Sequence, residues 1–390
     1  MFDLKKIKIK LRKAKIKILQ DKKTLHDIHI SKQYLKDNFK FNFNENILSD
    51  KGIDRIFAFA NYLEKERNNF KNNDMWNKIT SNEDHKKLYN FCTKNNKDEF
   101  LKLLSSLGKT KLSHGFLNYA SFSKLSNSAS ERNKEANQLL DKLLSLGEYR
   151  KKIKVYNPEQ GGWIAENLDY EELIEKIFTF QGNKIKPFLS PNYTFGIESG
   201  KNFYCMKDFM MLYAGIKLDQ ISKNYKLKYV NEIGAGLGFS AYYFSKLNKN
   251  YYNIYDLPSV LILQAYFLMS SIGENKVHLS GERKNEIAQI SLCPFWEIFD
   301  NESQSDILWY NHDALPEIDN LLAQKYIKKI ISAKNSYFFS INQEARNDNS
   351  VGGNQHTVYD LIEKEGGYKL INRSRDFLRA GYIEELYSVN

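Results

Sequence analysis

The eleven residues Val230-Asn-Glu-Ile-Gly-Ala-Gly-Leu-Gly-Phe-Ser240 decide how this chain is read. Leu227 to Asn231 form a β-rich run, Glu232 follows, glycines stand at 234, 236 and 238, and a helical pattern starts at Phe239 or Ser240. Alternate glycines between a strand and a helix let the backbone approach a ligand without interference from Cβ atoms, which predicts a nucleotide-type site. A nicotinamide fingerprint needs a glycine at 239 as well, and that residue is Phe. Glu232 also repels a pyrophosphate but suits a ligand carrying an ammonium and a sulfonium, so S-adenosylmethionine is the expected cofactor. Asp256 ends the next β-rich run, where a carboxylate can accept hydrogen bonds from both hydroxyls of a ribose.

Outward from this stretch, β-rich and helical runs alternate. KYVNE, YYNIYD, KVHLS, SDILWYN and SYFFSIN are separated by helical patterns near 240–247, from Pro258 to Ile272 and near 318–332. A further helix near 355–365 precedes two closing runs, YKLINRS and GYIEELYSV. Such alternation predicts a mostly parallel seven-stranded sheet with helices on both faces and an antiparallel edge hairpin, a Rossmann-like α/β domain. Before residue 200 the chain reads mainly as helices, as in NILSDKGIDRIFAFANYLEKER and SASERNKEANQLLDKLLSLGEYRKK. Turn-rich breaks follow at 157–163 and 188–196. The expected organisation is a basic arm over 1–23, a mainly helical region over 24–200 that binds acceptor or dimerises, and the cofactor-binding domain over 201–390.

Over about residues 225–390 the sequence resembles the class I S-adenosylmethionine-dependent methyltransferases. Glu232-Ile-Gly-Ala-Gly-Leu-Gly238 looks like their first motif, and Tyr255-Asp-Leu-Pro258 looks like the second-strand end of small-molecule O-methyltransferases. More narrowly, it is similar to bacterial sugar O-methyltransferases in Asn311-His-Asp-Ala-Leu-Pro-Glu317, in Ile341-Asn-Gln-Glu344 and in the ending from Arg373 to Tyr387. The resemblance implies methyl transfer to a sugar hydroxyl in cell-surface glycan synthesis. It implies Glu232, Gly234, Gly236, Gly238 and Asp256 as cofactor residues, and Ala235, Leu257 and Asn311 in the same stretches complete the expected set.

Methyl transfer is an in-line displacement that needs an oxygen nucleophile held in place and relieved of its proton. Candidate bases lie beyond the C-terminal strand ends, where open α/β sheets bind ligands. His312 is the first choice, with Asp313 beside it. Glu344 after the next strand, or His356 beyond the pair Gly352-Gly353, are alternatives. His312, Asp313 and Glu344 could also converge on a divalent cation, but no compact metal motif is present and none is expected. Arg373, Arg375 and Arg379 could grip the phosphate or carboxylate of a nucleotide-linked or acidic sugar, or could brace the closing hairpin against Asp376, Glu384 and Glu385. Tyr193, with Trp163, Phe195 and Tyr204, could stack on a sugar face or belong to the core.

The formal charge of +11 points towards nucleic acid until it is located. Residues 1–23 hold ten basic residues against Asp3 and Asp21, a net of +8, leaving +3 for everything else. That distribution argues against a basic groove, and no nucleic-acid partner is expected, although a methyltransferase acting on RNA or another small molecule and a non-catalytic cofactor-binding scaffold stay open as alternatives. In the arm, Leu4, Ile7, Leu11, Ala14 and Ile18 fall at helical spacing. This fits a helix lying on anionic lipid, or one packed on the protein or on a second subunit. Three isolated cysteines and the lack of a spanning apolar run place the expected protein in the cytoplasm, at most peripheral to the membrane.

Overall fold

The computed structural model describes residues 39–41, 48–67, 82–113, 125, 128–155, 169–283, 286–300, 305–333, 335–344 and 356–389. The basic arm, Trp163 and the Gly352-Gly353 pair lie outside these residues. The main sheet comprises β1 (Tyr229–Ile233), β2 (Tyr251–Asp256), β3 (Val277–Leu279), β4 (Ile290–Pro294), β5 (Ile307–His312), β6 (Ser336–Gln343), β7 (Tyr368–Arg375) and β8 (Tyr382–Val389). Their spatial order is β7-β8-β6-β5-β1-β2-β4-β3. Strands from β3 to β6 pair in parallel, and β8 pairs antiparallel with both β6 and β7. The expected Rossmann-like α/β architecture, a mostly parallel sheet with an antiparallel edge hairpin, is therefore present, with one correction: eight strands, not seven. The addition is β4, ISLCP, which inserts between β2 and β3. Its five residues end in a proline, so sequence pattern alone gives it little strand character.

Central strands are buried on both faces, as a parallel sheet requires, and ILWYN of β5 is buried throughout. Register aligns Glu232 with Tyr310 of β5 and Ile254 of β2, so β1, β2 and β5 end at one edge of the sheet. Chain order reverses between β1 and β5, and that reversal opens a crevice at the carboxyl ends of the strands.

The helical region consists of α1 (Asp50–Arg67), α2 (Glu83–Thr93), α3 (Lys97–Ser105), α4 (Ala129–Tyr149) and α5 (Tyr170–Phe178). The side chains of Asn82, Asn96, Ser128 and Asp169 accept backbone N–H groups at the starts of α2 to α5, the polar caps that helix N-termini need. Next come α6 (Met206–Asn224), α7 (Phe239–Leu247), α8 (Pro258–Ile272), α9 (Asn320–Ile331) and α10 (Val358–Glu365), with a single helical turn at Glu297–Asp300. Every residue of α8 from Pro258 to Met269 is buried, because α1 covers the side turned away from the sheet. The Arg55 guanidinium fixes that cover, donating to both carboxylate oxygens of Glu282 at 2.8 Å and to the carbonyls of Glu274 and Val277. Phe100 meets Tyr266 edge-on at 6.2 Å. One apolar core thus runs from Ile53 and Phe100 in the helical region to Leu308 and Ile341 in the sheet.

A feature not visible in the sequence is a small antiparallel sheet of 39–41, Phe195–Ser199 and Asn202–Cys205. Its hairpin turns at 200–201, where the sequence suggests a division between two regions.

Candidate functional site

The glycine turn is built as the spacing demands. Gly234, Gly236 and Gly238 all have positive φ, at 73°, 60° and 87°. A Cβ on Gly234 would stand 2.5 Å from the Cβ of Ala314, and one on Gly238 would stand 2.7 Å from the Leu268 side chain. The first glycine therefore admits the loop after β5, and the last admits α8. Asp256 ties the turn down. Its Oδ2 accepts from Ala235 N at 2.9 Å and from the Gln264 amide at 2.7 Å, while Oδ1 accepts from Leu257 N at 2.7 Å. Gln264 also donates to the carbonyl of Gly236 at 2.8 Å. Asp256 thus organises the loop from within, and only part of its acceptor capacity is left for a ribose.

Behind the turn, Glu232 is buried and accepts from the Tyr252 hydroxyl at 2.8 Å. Burial, with the Asp256 charge adding to it, pushes the Glu232 carboxyl up to about 8 against the opposing pull of the Tyr252 hydrogen bond. Burial likewise raises Asp256 to about 6 against the opposing pull of its hydrogen bonds.

These residues floor a cleft of about 150 Å³ that is open to solvent on one side. Glu232, Gly234, Ala235, Gly236, Asp256 and Leu257 line it, as do His312 and Asp313. Leu257, Val260, Phe295, Leu322 and Tyr326 give it apolar walls, and Lys207, Met211 and Glu317 stand with His312 and Asp313.

Several expected site residues take other roles. Asn311 is fully buried. Its amide donates to the Ile233 carbonyl at 2.6 Å, and its oxygen accepts from Leu315 N and from Asn342. It joins the ends of β1, β5 and β6 and does not line the cleft. Glu344 and Arg373 pair with each other at 2.7 Å, and Arg373 also bonds Glu385 on the adjacent strand of the hairpin. Arg375 is exposed on β7. Tyr193 lies under the Lys109 ammonium at 3.6 Å, and Tyr204 is buried against Phe178 and Phe209. His356 packs by the turn at Leu315, outside the cleft lining. Among the described residues no group of three or more His, Cys, Asp and Glu side chains is placed to hold a metal ion. No helix there is long and apolar enough to cross a membrane.

His312 departs most from expectation. Arg379 Nη1 stands 3.2 Å from His312 Nε2 and 2.6 Å from Asp313 Oδ2, with its guanidinium 3.4 Å over the Tyr382 ring. Arginine only donates, so Nε2 must accept, leaving the ring proton on Nδ1, which faces the Tyr310 hydroxyl at 3.0 Å. Burial first, then the charges of Arg379 and Lys207, lower the imidazole to about 3, although Asp313 pulls the other way. Both ring nitrogens of His312 are thus engaged within the protein. Asp313, whose φ is 69°, is raised by burial but brought down to about 2 by Arg379, His312 and Lys207. Both are held in place by a residue far along the chain.

Lys207 is the cleft residue that sequence reasoning missed. It is the second residue of α6, whose start is locked by Asp208: Oδ2 accepts from Cys205 N at 2.7 Å, and Oδ1 from Phe188 N and the Tyr243 hydroxyl. Burial, then Arg379, lowers its ammonium, with Asp313, Cys205 and Glu317 opposing. A lysine in the first turn of a long apolar helix carries no signal in sequence.

Fold and site together define a Rossmann-like domain with a nucleotide-type cleft at its switch point. No family model matches the chain, and no curated protein matches it. Among solved structures it is similar to the mitomycin 7-O-methyltransferase MmcR, at 13% identity and TM-score 0.35, over 47% of this chain and 56% of that one. It is also similar to magnesium protoporphyrin IX methyltransferase from Synechocystis PCC 6803, at 12% identity and TM-score 0.34, over 46% and 78%. An O-methyltransferase family protein from Burkholderia thailandensis matches at 11% identity and TM-score 0.33, over 47% and 59%. The match spans little more than half the length of the first of these.

Proposed function

We propose that the chain is an S-adenosylmethionine-dependent O-methyltransferase acting on a sugar hydroxyl in cell-surface glycan synthesis. The carrying observation is the pairing of a positive-φ glycine turn with two buried carboxyls, Glu232 and Asp256, on one cleft wall. A cofactor with a cationic amino-acid end would meet Glu232, whose proton it would displace. The ribose would meet the free acceptor capacity of Asp256, and the flat base would lie among Leu257, Val260 and Phe295. When bound, the cofactor supplies an activated methyl group.

The sugar assignment is supported by the sequence resemblance and by the polar end of the cleft, where Lys207, His312, Asp313 and Glu317 suit a polyhydroxylated acceptor better than a flat apolar one. Calorimetric titration of S-adenosylmethionine and S-adenosylhomocysteine into wild type and Asp256→Ala tests the reading. Micromolar binding to wild type that weakens at least about tenfold in the variant is expected, because the turn loses its internal anchor. Absence of binding to the wild-type protein would remove the reading.

A further inference from the structure

The polar groups that line the cleft beside the glycine turn and at the end of β5 are already committed. Glu232 is bonded to Tyr252, Asp256 holds the glycine turn, and Arg379 takes both His312 Nε2 and Asp313 Oδ2. Lys207 differs. It lines the same end of the cleft, and among the described residues it has no hydrogen-bond or ion-pair partner. It sits at the positive end of the α6 dipole and close to a second cation, Arg379, two placements that favour a neutral amine. Groups from every side face it: Asp313 and His312 at the end of β5, Glu317 in the turn beyond, Arg379 before β8, and Cys205 at its own helix cap.

We propose that Lys207 accepts the proton of the acceptor hydroxyl during methyl transfer. This rests on the methyl-transfer reading above and names the residue that reading leaves open. The hydroxyl O–H bond breaks as its proton passes to Nζ, an oxygen lone pair forms the new O–CH3 bond, and the pair of the broken S–CH3 bond stays on sulfur. One positive charge leaves the sulfonium and one appears on the lysine, so the cleft keeps the same net charge through the step. A neutral amine avoids facing the sulfonium as a second cation beforehand, and Asp313 and Glu317 stabilise the ammonium afterwards.

Linkage tests this without a known acceptor. Affinities for S-adenosylmethionine and S-adenosylhomocysteine are measured by calorimetry from pH 6.5 to 9.5 for wild type, Lys207→Met and Lys207→Arg. The two ligands differ by the charged methyl, so their affinity ratio reports a cation facing the sulfonium. In wild type the ratio should rise with pH by about tenfold more than in Lys207→Met, one pKa unit of coupling. Lys207→Arg, charged throughout, should hold the ratio low and lack that rise. Identical ratios in wild type and Lys207→Met at every pH, together with a Lys207→Arg ratio no lower than theirs, would overturn the proposal. If neither ligand binds wild type, the methyl-donor reading itself fails, and the failure is recognisable as such. Turnover on a mixture of nucleotide sugars gives a second readout wherever wild type is active: Lys207→Arg should lose about 10²–10⁴-fold in kcat, and unchanged kcat would overturn the role.

Discussion

Replacing Arg379 with Met removes the charge that holds the polar end of the cleft while keeping much of the aliphatic stem. The guanidinium is 2.6 Å from Asp313 Oδ2, and the two side chains are 19% and 29% exposed. Burial works against the Asp313 carboxylate, yet Arg379 and its neighbours bring it to about 2 from an ordinary 3.8. A shift of that size corresponds to about 2–3 kcal/mol of folding stability. The folded-state value lies below the unfolded one, so this contribution is complete above about pH 5 and is lost as pH falls from 3.8 through 2. Urea unfolding should show Arg379→Met less stable by about 2–3 kcal/mol at pH 7, with roughly half of that difference left at pH 3. In the same variant the His312 imidazole should move up from about 3 but stay below its usual 6.5, because burial is the larger cause and remains. Histidine proton resonances followed against pH would report it. A stability gap that is the same at pH 7 and pH 3 would refute the assignment of Arg379 as the counter-charge of Asp313.

Gly234→Ala should cost about 2–4 kcal/mol, from a φ of 73° and from a methyl 2.5 Å from Ala314, and should abolish cofactor binding; unfolding curves and calorimetry check the two effects. Arg55→Ala removes the clamp on Glu282 and two carbonyls and should lower stability by about 2–3 kcal/mol, with amide hydrogen exchange rising first in α1 and around 274–282.

Much of the glycine-turn side was legible because its determinants are local. A strand, Glu232, three glycines, a helix and Asp256 lie within 28 residues, and the conformations they need follow from the residue types. Position was read more reliably than contact: Asp256 stands where expected, but its oxygens first serve Ala235, Leu257 and Gln264. The polar end was less legible because it is assembled from afar. His312 looks like a base until Arg379, 67 residues later, donates to it, and Lys207 comes from before the motif region altogether. Asn311 and Arg373 show the same limit: a polar side chain next to a site reads equally as a ligand contact or as a brace until its buried partner, Asn342 for the first and Glu385 for the second, is known.

The sequence of α8 carries one more message. PSVLILQAYFLM has no polar face, so a helix of this composition in an open α/β sheet needs a second layer over it, and α1 supplies that layer. Synthesis from the N-terminus makes the cover before the surface it protects: the residues of α1 emerge about two hundred positions ahead of α8. A chain begun after residue 200 would present that greasy helix to solvent with nothing to sheathe it, and aggregation during expression is the expected fate of the sheet produced alone.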